Sequence, residues 1–247
     1  MFIKKDKRKI NEILREEGTT INTLKLSKRT AEFQGSLRII CHETKVKLLY
    51  NLRVLNLYDN ALNNIDGIGL LSQTPLEEIN LGCNKLDKLP VEFGSLRTLT
   101  TLWLDDNEFE TFPTCVCQLK SLKSLRLSGN SIKAIPMLIS SMENLETLAL
   151  DGNQLAEFPP GCLLLSNLQN LWIRQNKLTS LPVNLDALSS LQVLSISSNL
   201  LEELPEAVAN LHSLRQLFAN GNKIRSVPES LCLLPELQVP TIMSFSL

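Results

Sequence analysis

The sequence predicts an α/β solenoid bent into a horseshoe, with a parallel β-sheet on the concave face and loops or short helical turns on the convex face. Three columns of residues predict it. Leu76, Leu99, Leu122, Leu145, Leu168, Leu191, Leu214 and Leu237 recur every 23 residues. Counting each unit from its leucine, position 9 is always Asn, from Asn84 to Asn222. Position 15 is always Pro, from Pro90 to Pro228.

Each column implies a local structure. Positions 4 and 6 are apolar throughout, as in Leu102/Leu104 and Leu171/Ile173, an alternation of period 2 that makes one short strand per unit. Successive strands stack in parallel at about 4.8 Å. The chain must then turn away from the strand, and an Asn amide can both donate to and accept from the backbone of neighbouring turns. Stacked asparagines therefore form a ladder that satisfies buried loop backbone. Position 15 presets φ near −65° as the return segment begins. Positions 11, 14, 18 and 21 are also apolar, for example Phe109, Phe112, Val116 and Leu119. No unit can bury its apolar face alone, but stacked neighbours can. An earlier unit starting at Leu52 is one residue longer and has Asp66 in the proline position.

Together these residues spell LxxLxLxxNxLxxLP, and from Leu52 to about Leu237 the chain resembles the leucine-rich-repeat family. The 23-residue unit with its Leu-Pro pair is similar to the intracellular class of Ras-regulating scaffolds and Scribble-type polarity proteins. The plant receptor class differs, with 24 residues and Gly before Ile-Pro. The expected division is residues 1–51 as an N-terminal cap of helix plus degenerate repeat, 52–236 as eight repeats, and 237–247 as an incomplete ninth repeat or tail. In the cap, Ile10, Ile13 and Leu14 have helical spacing, Gly18 offers a stop, and Leu24 and Leu26 mark a degenerate strand. At the other end Pro240 falls at position 4 and Phe245 at position 9, so an incompletely capped end is expected, with apolar surface near Leu234, Leu237 and Ile242.

Composition narrows the function. The net charge is −1, but residues 1–51 hold twelve Lys/Arg against six Asp/Glu, and residues 52–247 hold thirteen against twenty. A basic cap leading an acidic body does not make the continuous basic stripe that nucleic acid needs, so no nucleic-acid partner is expected. There is no apolar run of about eighteen residues for a membrane span. The leading Met1–Lys9 segment is charged rather than apolar, and no N-x-S/T sequon occurs, which makes cytoplasmic the expected location.

Catalysis finds no constellation. The two histidines are His42 and His212, and His212 lies in a return segment, expected to be solvated. Phosphate-cradling glycine motifs are absent, so neither cofactor nor small-molecule substrate is expected and the chain is read as no enzyme. Cys115 and Cys117 flank the inward Val116 with no histidine nearby, and are read as two solvated or half-buried thiols rather than metal ligands. Cys162 falls in the core column, and Cys83 is expected to be the most accessible thiol on the binding side.

Side chains at positions 3, 5 and 7 alternate with the buried leucines and line the concave face. Both tryptophans, Trp103 and Trp172, stand at position 5, and Phe218 shares their column. Arg126 lies between the tryptophans, and Tyr58, Asp105, Asp151 and Arg174 occupy position 7. Aromatic and arginine side chains are the usual anchors of interfaces. These eight residues are the candidate partner-binding site; the alternative is that aromatics simply suit a sheet surface. The leading reading is a protein-binding scaffold or adaptor, and the resemblance implies a GTPase, phosphatase or kinase partner. Rival readings are a substrate-recognition module of a ubiquitin ligase and an immune or host-directed recognition protein.

Overall fold

The computed structural model describes residues 8–238. Among these residues nine three-residue strands form one parallel sheet in strict chain order: β1 (Thr23–Lys25), β2 (Val54–Asn56), β3 (Glu78–Asn80), β4 (Thr101–Trp103), β5 (Ser124–Arg126), β6 (Thr147–Ala149), β7 (Asn170–Trp172), β8 (Val193–Ser195) and β9 (Gln216–Phe218). Equivalent positions pair: Leu102 faces Ile79 on one side and Leu125 on the other. The solenoid expected from the 23-residue period is therefore present, with the sheet lining its concave face.

The return segments are short 3₁₀ turns, such as Val91–Ser95, Thr114–Gln118 and Met137–Ser141. Each of these three follows the position-15 proline, whose φ is −66°, −74° and −71° respectively. Proline has no N–H to satisfy, but its carbonyl accepts the first turn bond, as in Phe93 N–H to Pro90 O at 3.0 Å.

The asparagine ladder does what the sequence requires. Asn107 Nδ2 donates to the carbonyl of Leu81 in the preceding unit at 3.0 Å and to Leu104 in its own at 3.2 Å. Its Oδ1 accepts from Leu86 N–H at 3.0 Å. Asn130 repeats the pattern on Leu104, Leu127 and Phe109. Each amide ties two units together through backbone that water cannot reach.

At the N-terminal end α1 (Ile10–Glu17) buries Ile10, Ile13 and Leu14. Gly18 ends it through close approach rather than a left-handed turn. Its φ is −46°, and a Cβ there would lie 2.4 Å from Leu14 O and 2.8 Å from the Leu48 side chain. Two further single-turn helices, α2 (Thr30–Phe33) and α3 (Glu43–Val46), close the first, degenerate unit. Arg29 takes the ladder place in that unit: its backbone N–H donates to Asn60 Oδ1 at 2.5 Å, and its guanidinium pairs with Glu32 at 2.8 Å.

Two expectations are corrected. Cys115 and Cys117 are both buried, not solvated. Their 3₁₀ turn is wedged between those of the adjacent units, where backbone packs so closely that a Cβ on Gly94 would lie 3.1 Å from Cys115 O. Burial raises both thiols, Cys117 to about 11. Leu234 is also buried, because its turn closes against the preceding unit, but the adjacent Leu233 is 77% exposed and Leu237 half-buried, so some of the expected apolar surface is present at this end. Pro240, Ile242 and Phe245 lie outside the described residues. His212 is exposed and Cys162 is fully buried, as expected.

Candidate functional site

On the sheet's open face Trp103, Arg126, Trp172 and Phe218 are the last residues of β4, β5, β7 and β9, and Tyr58, Asp105, Asp151 and Arg174 lie two residues beyond β2, β4, β6 and β7. Tyr58 is exposed beyond β2, and Cys83 Sγ donates to its hydroxyl at 3.0 Å. That bond, then the neighbouring Cys83 charge, raises the Tyr58 phenol above its ordinary value. Cys83 is itself raised, first by desolvation, and lies 3.6 Å from Asp106 Oδ2.

The acid–base residues form two rungs. Arg126 Nε donates to Asp105 Oδ2 at 2.8 Å, and Arg174 Nε approaches Asp151 Oδ2 at 3.5 Å. In both pairs the second carboxylate oxygen accepts from a backbone N–H one unit on, Ser128 at 2.9 Å and Arg174 at 2.8 Å. Both aspartate side chains are only 17% exposed, whereas Arg126 and Arg174 are 49% and 54% exposed. The aspartates thus pin the end of the next strand, and the guanidiniums are what a visitor meets. The ion pairs themselves contribute little, on the order of 0–1 kcal/mol each.

The aromatics differ in their surroundings. Trp103 is half-buried, in register between Asn80 and Arg126. Trp172 is 37% exposed and stands between two small buried residues, Ala149 and Ser195. Phe218 is the next neighbour of Ser195. Trp172, Ser195 and Phe218 consequently frame a pocket of ≈ 240 Å³, with Arg174 and Asn220 at its rim. Sequence reasoning singled out both walls but missed the floor. The signal was available: a serine between two aromatics in one column leaves a gap.

Among the described residues no group of His, Cys, Asp and Glu is placed to hold a metal ion. No helix among them is long and apolar enough to cross a membrane.

A family model described as "Leucine-rich repeat region" matches residues 36–158, and a second, "Leucine rich repeat", matches residues 166–224. The chain belongs to the leucine-rich-repeat family. Its repeats are 34% identical, over 94 residues, to a putative neurotrophin receptor, LTRK 1, of Lymnaea stagnalis. They are 37% identical, over 82 residues, to an adenylate cyclase of Schizosaccharomyces pombe. These matches cover 38% and 32% of this chain, but only 11% and 5% of those proteins. The second is a partial match, through repeats. Among solved structures, TLR13 in its complex with ssRNA13 superposes with a TM-score of 0.79 at 25% identity, covering 91% of this chain and 33% of that one. The leucine-rich-repeat fold is that of a protein–protein interaction module, and such domains are typically non-enzymatic.

Proposed function

We propose that this leucine-rich-repeat chain is a non-enzymatic scaffold or adaptor that holds a partner protein on its concave face. The observation that carries this reading is Trp172, a large aromatic left exposed on an ordered sheet with small, buried neighbours on both sides. Leaving such a ring in water is unfavourable, and aromatic residues beside arginines are typical binding anchors. A GTPase, phosphatase or kinase partner is the finer form of the proposal, supported by the likeness of the 23-residue Leu-Pro unit to Ras-regulating and polarity repeats. A cytoplasmic setting belongs to the same reading; its support is that all six cysteines are free thiols, four of them buried.

The test is an affinity capture from cell lysate with the wild type beside Trp103→Ala/Trp172→Ala, circular dichroism confirming that the variant stays folded. A partner held by the wild type and lost by the folded variant is the expected result. Equal capture by both would move the binding site off this face.

A further inference from the structure

Charge is segregated along the concave face and the loop edge that follows its strands. Positions 3 to 10 of the repeats opening at Leu52, Leu76 and Leu99 carry Asp59, Glu78, Asp105, Asp106 and Glu108 against Lys85 alone. The same positions of the repeats opening at Leu168, Leu191 and Leu214 carry Arg174, Lys177 and Lys223 and no carboxylate. Lys177 and Lys223 are exposed, and neither makes an ion pair among the described residues. Arg174 is more than half exposed even while it leans on Asp151.

The basic end coincides with the aromatic pocket. Trp172 and Phe218 stand two rungs apart, roughly 9.6 Å at strand spacing. Ser195, 3% exposed, is the floor between them. A side chain inserted between two ring faces needs about 3.5–4 Å to each, so the slot admits one flat or branched apolar group. Arg174 at its rim, with Lys177 and Lys223 on the loops that follow β7 and β9, then favours negative charge on the residues flanking that group.

We infer that the last three complete repeats bind an acidic peptide segment of the partner protein that carries one large apolar side chain. That side chain fills the slot between Trp172 and Phe218, and carboxylates on either side of it pair with Lys177, Lys223 and the open side of Arg174. This rests on the protein-binding reading and gives it a ligand chemistry and an orientation: the acidic repeats at the other end repel the same segment, so it can lie only over the basic end. Single-stranded nucleic acid would also use aromatic rings and cations, but it needs a basic groove that tracks its backbone. Here residues 52–247 hold thirteen Lys/Arg against twenty Asp/Glu, and the acidic repeats share the same face.

The experiment pans a phage-displayed random dodecapeptide library on the full chain. A selected peptide lacking tryptophan is then titrated into the Trp103→Phe variant, where Trp172 is the sole tryptophan and can be excited selectively over tyrosine. Enriched sequences should place Asp or Glu around a Phe, Leu or Ile, and Trp172 emission should shift saturably. Affinity should fall about tenfold or more in Lys177→Glu/Lys223→Glu, in Phe218→Ala, and when the peptide's apolar residue becomes Ala. Lysines 177 and 223 lie on the surface, so their reversal tests binding without threatening the fold. Failure to enrich, enrichment of basic peptides, or no response of Trp172 would overturn the proposal. Competition by oligouridylate would reassign the slot to single-stranded nucleic acid. If the captured lysate partner is lost by Trp103→Ala/Trp172→Ala yet bound normally by Lys177→Glu/Lys223→Glu, the scaffold reading stands and the acidic-peptide inference falls.

Discussion

At the scale of single residues, burial decides chemistry that spacing left open. Cys41 and Cys162 are pushed to about 12 by desolvation alone, and Cys117 to about 11. A thiol that cannot ionise or meet a reagent does not alkylate. Brief iodoacetamide treatment of the native protein should therefore label Cys83 and Cys232, with Cys41, Cys115, Cys117 and Cys162 reacting only in denaturant; peptide mass mapping reads the result. Rapid native labelling of Cys115 or Cys117 would show their turn opening. Asp151 gives a pH-dependent counterpart. Desolvation raises its carboxyl above 3.8, and the Arg174 backbone bond and the charges of Arg174 and Arg126 only partly offset that. A carboxyl that holds its proton more tightly when folded favours the fold at low pH, and the advantage is lost as pH rises through its folded value. Wild type should accordingly lose stability relative to Asp151→Asn between pH 3.8 and neutrality, followed by urea titration. The opposite slope would mean that the Arg174 pair outweighs desolvation.

At the scale of one repeat, the ladder amide matters more than any surface pair. Asn130→Ala would leave the carbonyls of Leu104 and Leu127 and the N–H of Phe109 without that partner, in backbone shielded from water. At about 1–3 kcal/mol for each group left unmade, with some relief from relaxation, a loss of roughly 2–4 kcal/mol is expected in chemical denaturation. A loss below about 1 kcal/mol would mean that water replaces the amide. The repeat also shows what was legible beforehand. The leucine, asparagine and proline columns each had one residue type because each meets one demand, so strand, ladder and turn could be read directly. Position 8 could not. Its backbone is left-handed at Asp59, Cys83, Asp106, Gln175 and Ser198 as well as at Gly129, Gly152 and Gly221, and that mixture hides the requirement. The burial of Cys115 and Cys117 was hidden for another reason. Alternation predicts opposite faces, but in a 3₁₀ turn packed between two others the small side chains of Cys115 and Cys117 are covered along with Val116, as Ala207 and Ala209 are with Val208, whereas the larger Leu138 at position 17 stays exposed. On the concave face the walls Trp172 and Phe218 were conspicuous by type, whereas Ser195 is a floor only by virtue of its neighbours.

At the scale of the whole molecule, the order of strands is the order of the chain, so each unit touches only those beside it. Stability is then close to a sum of unit terms and nearest-neighbour interfaces, and a lesion in the middle weakens the coupling between the two flanks. Leu148, fully buried in β6, lies between β4, which carries Trp103, and β7, which carries Trp172. Leu148→Ala should cost about 2–5 kcal/mol through lost burial and the cavity left behind. The two tryptophans allow each flank to be followed separately, in Trp172→Phe and Trp103→Phe backgrounds. Without the lesion both reporters should give the same guanidinium midpoint, because the continuous core from Ile10 to Leu234 couples them. With Leu148→Ala the midpoints should separate, and the flank with the weaker remaining stack should melt first. Coincident midpoints after the lesion would mean that the described residues unfold as one cooperative unit despite their linear contacts. A partner bridging both flanks of the concave face would then stabilise the whole solenoid, whereas in the separable case a ligand confined to the Trp172–Phe218 slot would raise the midpoint of the Trp172 reporter alone.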